Sequence, residues 1–135
     1  MGGTLEVHID QIGPSTGKGF VRAHSVLIDR PAAKGGADQG PMGGELLLLS
    51  LGGCFLSNLL AAAKARDIAL SGVQVAITAT TGGTPERVEA MHMRVRSGFG
   101  DTDTMAKLVS IAEKGCLVTN TLRASVTLSV ELEAR

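Results

Sequence analysis

Two cysteines carry most of the chemistry in this sequence: Cys54, inside the apolar run ELLLLSLGGCFLSNLLAAAKAR, and Cys116, in EKGCLVTNTL, 62 residues later. A thiolate attacks a peroxide O–O bond and becomes a sulfenic acid. A second thiol then condenses with it to a disulfide, which protects the first sulfur from over-oxidation, and an external thiol resets the pair by exchange. A disulfide needs Cα atoms about 5.5 Å apart, which one folded domain can achieve at any sequence separation. The stabilising field of a helix N-terminus fades within its first turn, and Cys54 lies about three turns into its helix. If Cys54 is reactive, a cation must come from another element or another subunit. Arg22, Lys18 and Arg96 are the candidates, and the sequence does not choose among them. The plainer alternative is that both cysteines serve as small buried hydrophobes.

Other chemistries fail on the residues. His8, His24 and His92 do not combine with the cysteines at any metal-ligand spacing. Gly17-Lys18-Gly19 lacks the upstream Gly and the following Ser/Thr of a phosphate loop, and there is no Gly-x-Ser-x-Gly elbow. The expectation is a protein with neither metal nor cofactor. Thirteen basic residues balance thirteen acidic ones, which leaves no electrostatic footprint for nucleic acid or an anionic membrane. Three Phe, with no Tyr and no Trp, supply no stacking platform for bases. Met1 to Ile12 carries no signal pattern, which points to a cytoplasmic location where two thiols stay reduced.

The elements that must position the cysteines follow from periodicity. At 135 residues, 44% hydrophobic and 19% charged, the chain reads as a single domain, 1–135, with one core. Leu5, Val7 and Ile9 alternate with Glu6, His8 and Asp10, the period of a half-buried strand. Gly13 to Gly19 is turn chemistry, and Phe20 to Asp29 resumes an extended pattern, so the two read as an antiparallel hairpin. Pro31 to Gly44 is a long Gly/Pro loop, either ordered and functional or a mobile flap. Glu45 to Arg66 is a helix of roughly 33 Å, apolar on nearly every side.

Ser71 to Thr81 and Arg87 to Ser97 read as a second hairpin, joined by Gly82-Gly83-Thr84-Pro85. Asp101 or Thr102 caps a helix through about Lys114, with Gly115 as its stop. Val126, Leu128, Val130 and Leu132 alternate with Ser125, Thr127, Ser129 and Glu131, which predicts a final strand. The class is α+β, antiparallel sheets around a long central apolar helix. Ser50, Ser57, Asn58 and Gly52-Gly53 weaken a membrane-spanning reading of that helix. One sheet covers only one side of an all-apolar helix. A second copy of the chain is the simplest further cover, which predicts a homodimer with the helices near the interface.

These features resemble the OsmC/Ohr family of organic-peroxide-resistance and osmotically inducible proteins. The matching stretches are DRPAAKGGADQGP before the helix, ELLLLSLGGC around Cys54 and EKGCLVTNTL around Cys116. The order of elements matches over nearly the whole chain. The resemblance implies an OsmC-like fold in an intertwined homodimer, with two active sites at the subunit interface. It implies Cys54 as peroxidatic cysteine and Cys116 as resolving cysteine. The reaction would be reduction of organic hydroperoxides by thiol or lipoyl-type reductants. Arg22 is the arginine nearest to the family's first-hairpin arginine. Glu45 stands nine residues before Cys54, where the family's glutamate stands ten before, and Leu117 replaces the proline usual after the second cysteine. The leading expectation is therefore a two-cysteine hydroperoxide reductase. The alternatives are a non-catalytic protein binding a small apolar ligand, or a redox sensor using the same disulfide.

Overall fold

In the first hairpin, strand β1 (His8–Gln11) is shorter than the alternation beginning at Leu5, because only this stretch finds a partner. It pairs antiparallel with β2 (Gly17–Val21), which pairs in turn with β3 (His24–Ile28), giving the order β1-β2-β3. The turn expected over Gly13 to Gly19 is shorter than its composition suggests, since Gly17 and Gly19 belong to β2. Phe20 lies under the His8 ring, 4.9 Å between centroids, with the Lys18 ammonium over its face at 5.4 Å. The opposite face carries Ile9, Val21 and Val26, all exposed. These strands fall in the first of two compact units, Met1–Leu49 and Ser50–Arg135; the computed structural model describes residues 2–124 and 126–133.

The Gly/Pro segment after β3 is the ordered alternative of the two expected. A short 3-10 turn, Ala32–Lys34, follows Pro31, and Gly35 closes it in the left-handed conformation at φ 85°. Asp29, 3% exposed, organises the rest. Its carboxylate accepts from the Thr16 hydroxyl at 2.8 Å and from the backbone N–H groups of Arg30 at 2.7 Å, Gln39 at 3.3 Å and Ala37 at 3.4 Å. Gly36 packs so closely on the Arg30 carbonyl, and Gly40 on that of Leu27, that a Cβ at either would collide with backbone.

Burial raises the Asp29 pKa, but hydrogen bonds from Thr16, Arg30, Ser15 and Gln39 outweigh it and hold the carboxyl well below the usual carboxylate range. Between the ordinary carboxylate value of about 3.9 and this lower folded value, the unfolded chain binds more protons than the native one. Stability from Asp29 is thus fully present above the unfolded value and is lost as pH falls through the folded one. Acid titration followed by circular dichroism should show this loss in wild type and a shallower one in Asp29→Asn. Coincident acid limbs would contradict it.

Helix α1 (Gly43–Lys64) starts two residues before the expected Glu45. The Met42 N–H donates to Glu45 Oε1 at 2.9 Å, one half of a capping box, so the early start is satisfied locally. Near the other end the Arg66 guanidinium donates to the Ala62 carbonyl at 3.0 Å. The helix is long and apolar enough to cross a membrane by length and composition, yet its buried residues, Leu51, Phe55, Leu59, Ala62 and Ala63, form one inward stripe. Among the described residues the expected cover on all sides is incomplete: Leu49, Leu60 and Leu47 stay exposed.

In the second unit, β4 (Gln74–Gly82) and β5 (Arg87–Arg96) form an antiparallel hairpin with Val75 opposite Val95, Ile77 opposite Met93 and Ala79 opposite Met91. Val75, Met93 and Val95 pack on the core of Phe55, Leu59, Leu108, Ala112 and Cys116. Helix α2 (Thr102–Gly115) is capped by Asp101, whose carboxylate accepts from the Thr104 N–H at 3.1 Å. A further helix, α3 (Leu117–Arg123), follows Cys116 and was not expected from periodicity. An Arg123–Glu113 ion pair ties it to α2.

The expected final strand is corrected. Residues 126–133 are irregular, with Leu128 84%, Val130 92% and Leu132 97% exposed. A strand needs a neighbouring edge for its N–H and C=O groups, and among the described residues this segment is paired to none. Ser125 lies outside the described residues.

Candidate thiol site

The two cysteines reach one place from different elements. Along α1, residues 51, 54, 55, 58, 59 and 62 recur at helical spacing and form one face. Cys54 is on that face, half-buried, and packs against the core cluster. Cys116 comes from the junction of α2 and α3, where it ends one helix and caps the next in an extended conformation, φ −78° and ψ 114°. Its residue exposure is 0%. Both are free thiols.

The hydrogen bonds around the buried sulfur oppose the effect of its burial. Burial pushes the Cys116 thiol up, but hydrogen bonds from the Thr119 hydroxyl, the Thr119 N–H, the Cys54 thiol and the Val118 N–H bring it below its ordinary value. The Thr119 N–H donates to the sulfur at 3.5 Å. The buried Thr119 hydroxyl oxygen has no hydrogen-bond partner of ordinary geometry among the described residues. Periodicity had made Cys116 the residue after a helix stop. Its capping role depends on α3, which the pattern did not disclose.

Asn58 is the third member of the site and was missed as one. It stands four residues after Cys54 on the same face, and its Nδ2 donates to the Cys54 carbonyl at 2.9 Å while lying 3.8 Å from the Cys54 sulfur. The readable signal was an amide on the inner stripe of a Leu/Ala helix. Its other side fits against Gly115, where a Cβ would come within 3.2 Å of Asn58 Oδ1.

Arg22 and Glu45 are described within the first unit. Arg22 sits at the exposed β2–β3 turn with φ 50°, a left-handed conformation unusual for a side chain of its size. Glu45 holds the Met42 N–H in the first turn of α1. Of the other cations considered, Lys18 lies over Phe20. Arg96, on β5, lines a concavity of about 320 Å³ with Gln74, Ala76 and Arg94.

The sequence profile of the family described as OsmC-like protein matches residues 35–131, a stretch that holds both cysteines. The chain belongs to the OsmC-like family. Its mixed α/β architecture, with antiparallel sheets and a long helix, is the OsmC-like fold. An osmotic stress and detoxification response protein from Psychrobacter arcticus 273-4 superposes with a TM-score of 0.77 at 19% identity, covering 89% of each chain. An organic hydroperoxide resistance protein OsmC from Legionella pneumophila gives 0.69 at 18% identity, again over 89% of each chain. An organic hydroperoxide resistance protein from Elizabethkingia anophelis gives 0.66 at 17% identity, covering 89% of this chain and 88% of its own. At these identities the likeness is one of fold. Among curated proteins none matches.

Proposed function

We propose that this OsmC-like protein is a thiol-dependent peroxidase that reduces organic hydroperoxides through Cys54 and Cys116. The observation that carries the reading is a half-buried free thiol, Cys54, packed on the core cluster that holds a second, fully buried free thiol, Cys116. Cys54 passes its proton to Cys116 and attacks one peroxide oxygen. The O–O bond breaks, the sulfur is oxidised to a sulfenic acid, and the leaving alkoxide takes the proton from Cys116 to depart as an alcohol. Cys116, again a thiolate, attacks the Cys54 sulfenic sulfur; the S–S bond forms and hydroxide leaves. A thiol or lipoyl-type dithiol then reduces the disulfide by exchange. The names of the Legionella and Elizabethkingia proteins support the substrate class.

The reading takes the chain as one OsmC-like domain, cytoplasmic, acting as a homodimer. Support for the second copy comes from the uncovered apolar side chains: Leu49 and Leu60 on α1, Ile9 and Val26 on the first sheet, and the unpaired alternation of Leu128, Val130 and Leu132. In the assembled protein Arg22 is assigned as the cation that activates Cys54, with Glu45 as its carboxylate partner.

Replacing Cys54 with serine tests the core of the proposal. Turnover of tert-butyl hydroperoxide with dihydrolipoamide should fall to the uncatalysed rate, and full turnover in Cys54→Ser would overturn it. One observation favours a second reading, a non-catalytic ligand-binding or redox-sensing protein: the Glu45 carboxylate is already engaged as a helix cap. Clean formation of the Cys54–Cys116 disulfide without steady-state turnover would favour that alternative.

A further inference from the structure

Asn58 occupies a position where packing alone calls for an aliphatic side chain. It shares its helix face with Leu51, Phe55 and Leu59, and its half-buried amide must be satisfied there. The orientation of that amide is fixed by chemistry. A backbone carbonyl only accepts, so the group bonded to the Cys54 oxygen at 2.9 Å is the NH2. The same nitrogen lies 3.8 Å from the Cys54 sulfur, and each amide nitrogen carries two hydrogens. One N–H is used by the carbonyl; the second is available to the sulfur. The carbonyl end of the amide points to Gly115, the residue before Cys116, where the missing side chain leaves it room. Asn58 thus spans from one cysteine to the neighbour of the other.

We propose that Asn58 is a positioning residue of the thiol pair: clamped by the Cys54 carbonyl and seated against Gly115, it directs an N–H to the Cys54 sulfur and steadies that sulfur as a thiolate. The assignment rests on the two-cysteine reading for its purpose. Its test is read from the thiol itself rather than from turnover. Hydrogen bonds to an anionic sulfur favour the charged form, and a neutral thiol gains little from the same donor. The donor therefore acts on the reactive state of Cys54 more than on the resting fold.

Two replacements separate that role from a structural one. Asn58→Ser keeps a hydroxyl that bonds the carbonyl four residues back but is too short to serve the sulfur as well. Asn58→Leu keeps the volume and loses both bonds. Each is made in the Cys116→Ser background, so that Cys54 is the single thiol observed, and folding is followed by circular dichroism. The expected result is a roughly tenfold fall in thiolate ultraviolet absorbance, at a fixed pH below the midpoint, in both variants. A tenfold slower alkylation by iodoacetamide at that pH should accompany it. Unchanged absorbance in folded Asn58→Ser would overturn the assignment, even if Asn58→Leu were unstable. If wild type fails to turn over hydroperoxides while the absorbance still falls, the peroxidase reading is lost and the role of Asn58 stands.

Discussion

In Cys116→Ser, the first equivalent of organic hydroperoxide is expected to oxidise Cys54 and the following equivalents to inactivate it. Without the second sulfur, the Cys54 sulfenic acid has no intramolecular partner and climbs to the sulfinic acid when oxidant is in excess. Steady-state turnover should fall by orders of magnitude, with one alcohol released per active site in a burst. Mass spectrometry of the product should show two added oxygens on the peptide carrying Cys54. The site geometry adds a second expectation. Cys116 accepts from the Thr119 N–H, and in the proposed cycle it takes the Cys54 proton, so a serine there would also remove that base. The burst itself should therefore be slower than the first oxidation of wild type. Undiminished turnover by Cys116→Ser with dihydrolipoamide supplied would show that another group, or the reductant itself, resolves the intermediate.

Phe55→Ala is expected to destabilise the fold by about 3–5 kcal/mol, the usual range for emptying a large buried aromatic site. Phe55 is among the largest fully buried side chains and packs with Leu59, Leu108 and Ala112 next to the thiol pair. Urea unfolding at constant slope would report it as a lower midpoint. Leu49→Ala is the instructive companion, since Leu49 is on α1 but 63% exposed within one chain. If solvent covers that face, the substitution should cost well under 1 kcal/mol. If a second copy covers it, the cost rises toward the core range and depends on protein concentration. A concentration-independent, near-zero effect at Leu49 would count against the homodimer.

Much of this arrangement was legible because it rests on short-range pattern. The second hairpin followed from alternation through Val75, Ile77, Met91, Met93 and Val95, and the α2 start from a capping aspartate ahead of an apolar stripe. Cys54 was visible as a thiol within an apolar helix. What periodicity did not carry was anything decided by partners distant in sequence. The strand pattern through Leu128 and Val130 is genuine, but pairing needs an edge that alternation does not name. Helix α3 is seven residues long, too short for a periodic signal, and it depends on caps and the tie to α2. Asp29 read as the last residue of an extended run, and its donors Thr16, Arg30, Ala37 and Gln39 lie 1 to 13 positions away. Asn58 was passed over as one more residue weakening a membrane span, when its spacing from Cys54 was the more informative fact.

The segment from Pro31 to Gly44 is loop in shape, and loops ordinarily accept substitutions, insertions and deletions more freely than the elements they join. Here that expectation inverts. Gly36 and Gly40 each face a backbone carbonyl with no room for a Cβ, and the N–H groups of Ala37 and Gln39 converge on one carboxylate. An added or removed residue would shift these contacts out of register together. In a saturation library this stretch should therefore show the intolerance usually seen in a buried helix. The freely varying positions should lie instead at exposed sites with no assigned role, such as Ala23 at the open hairpin tip.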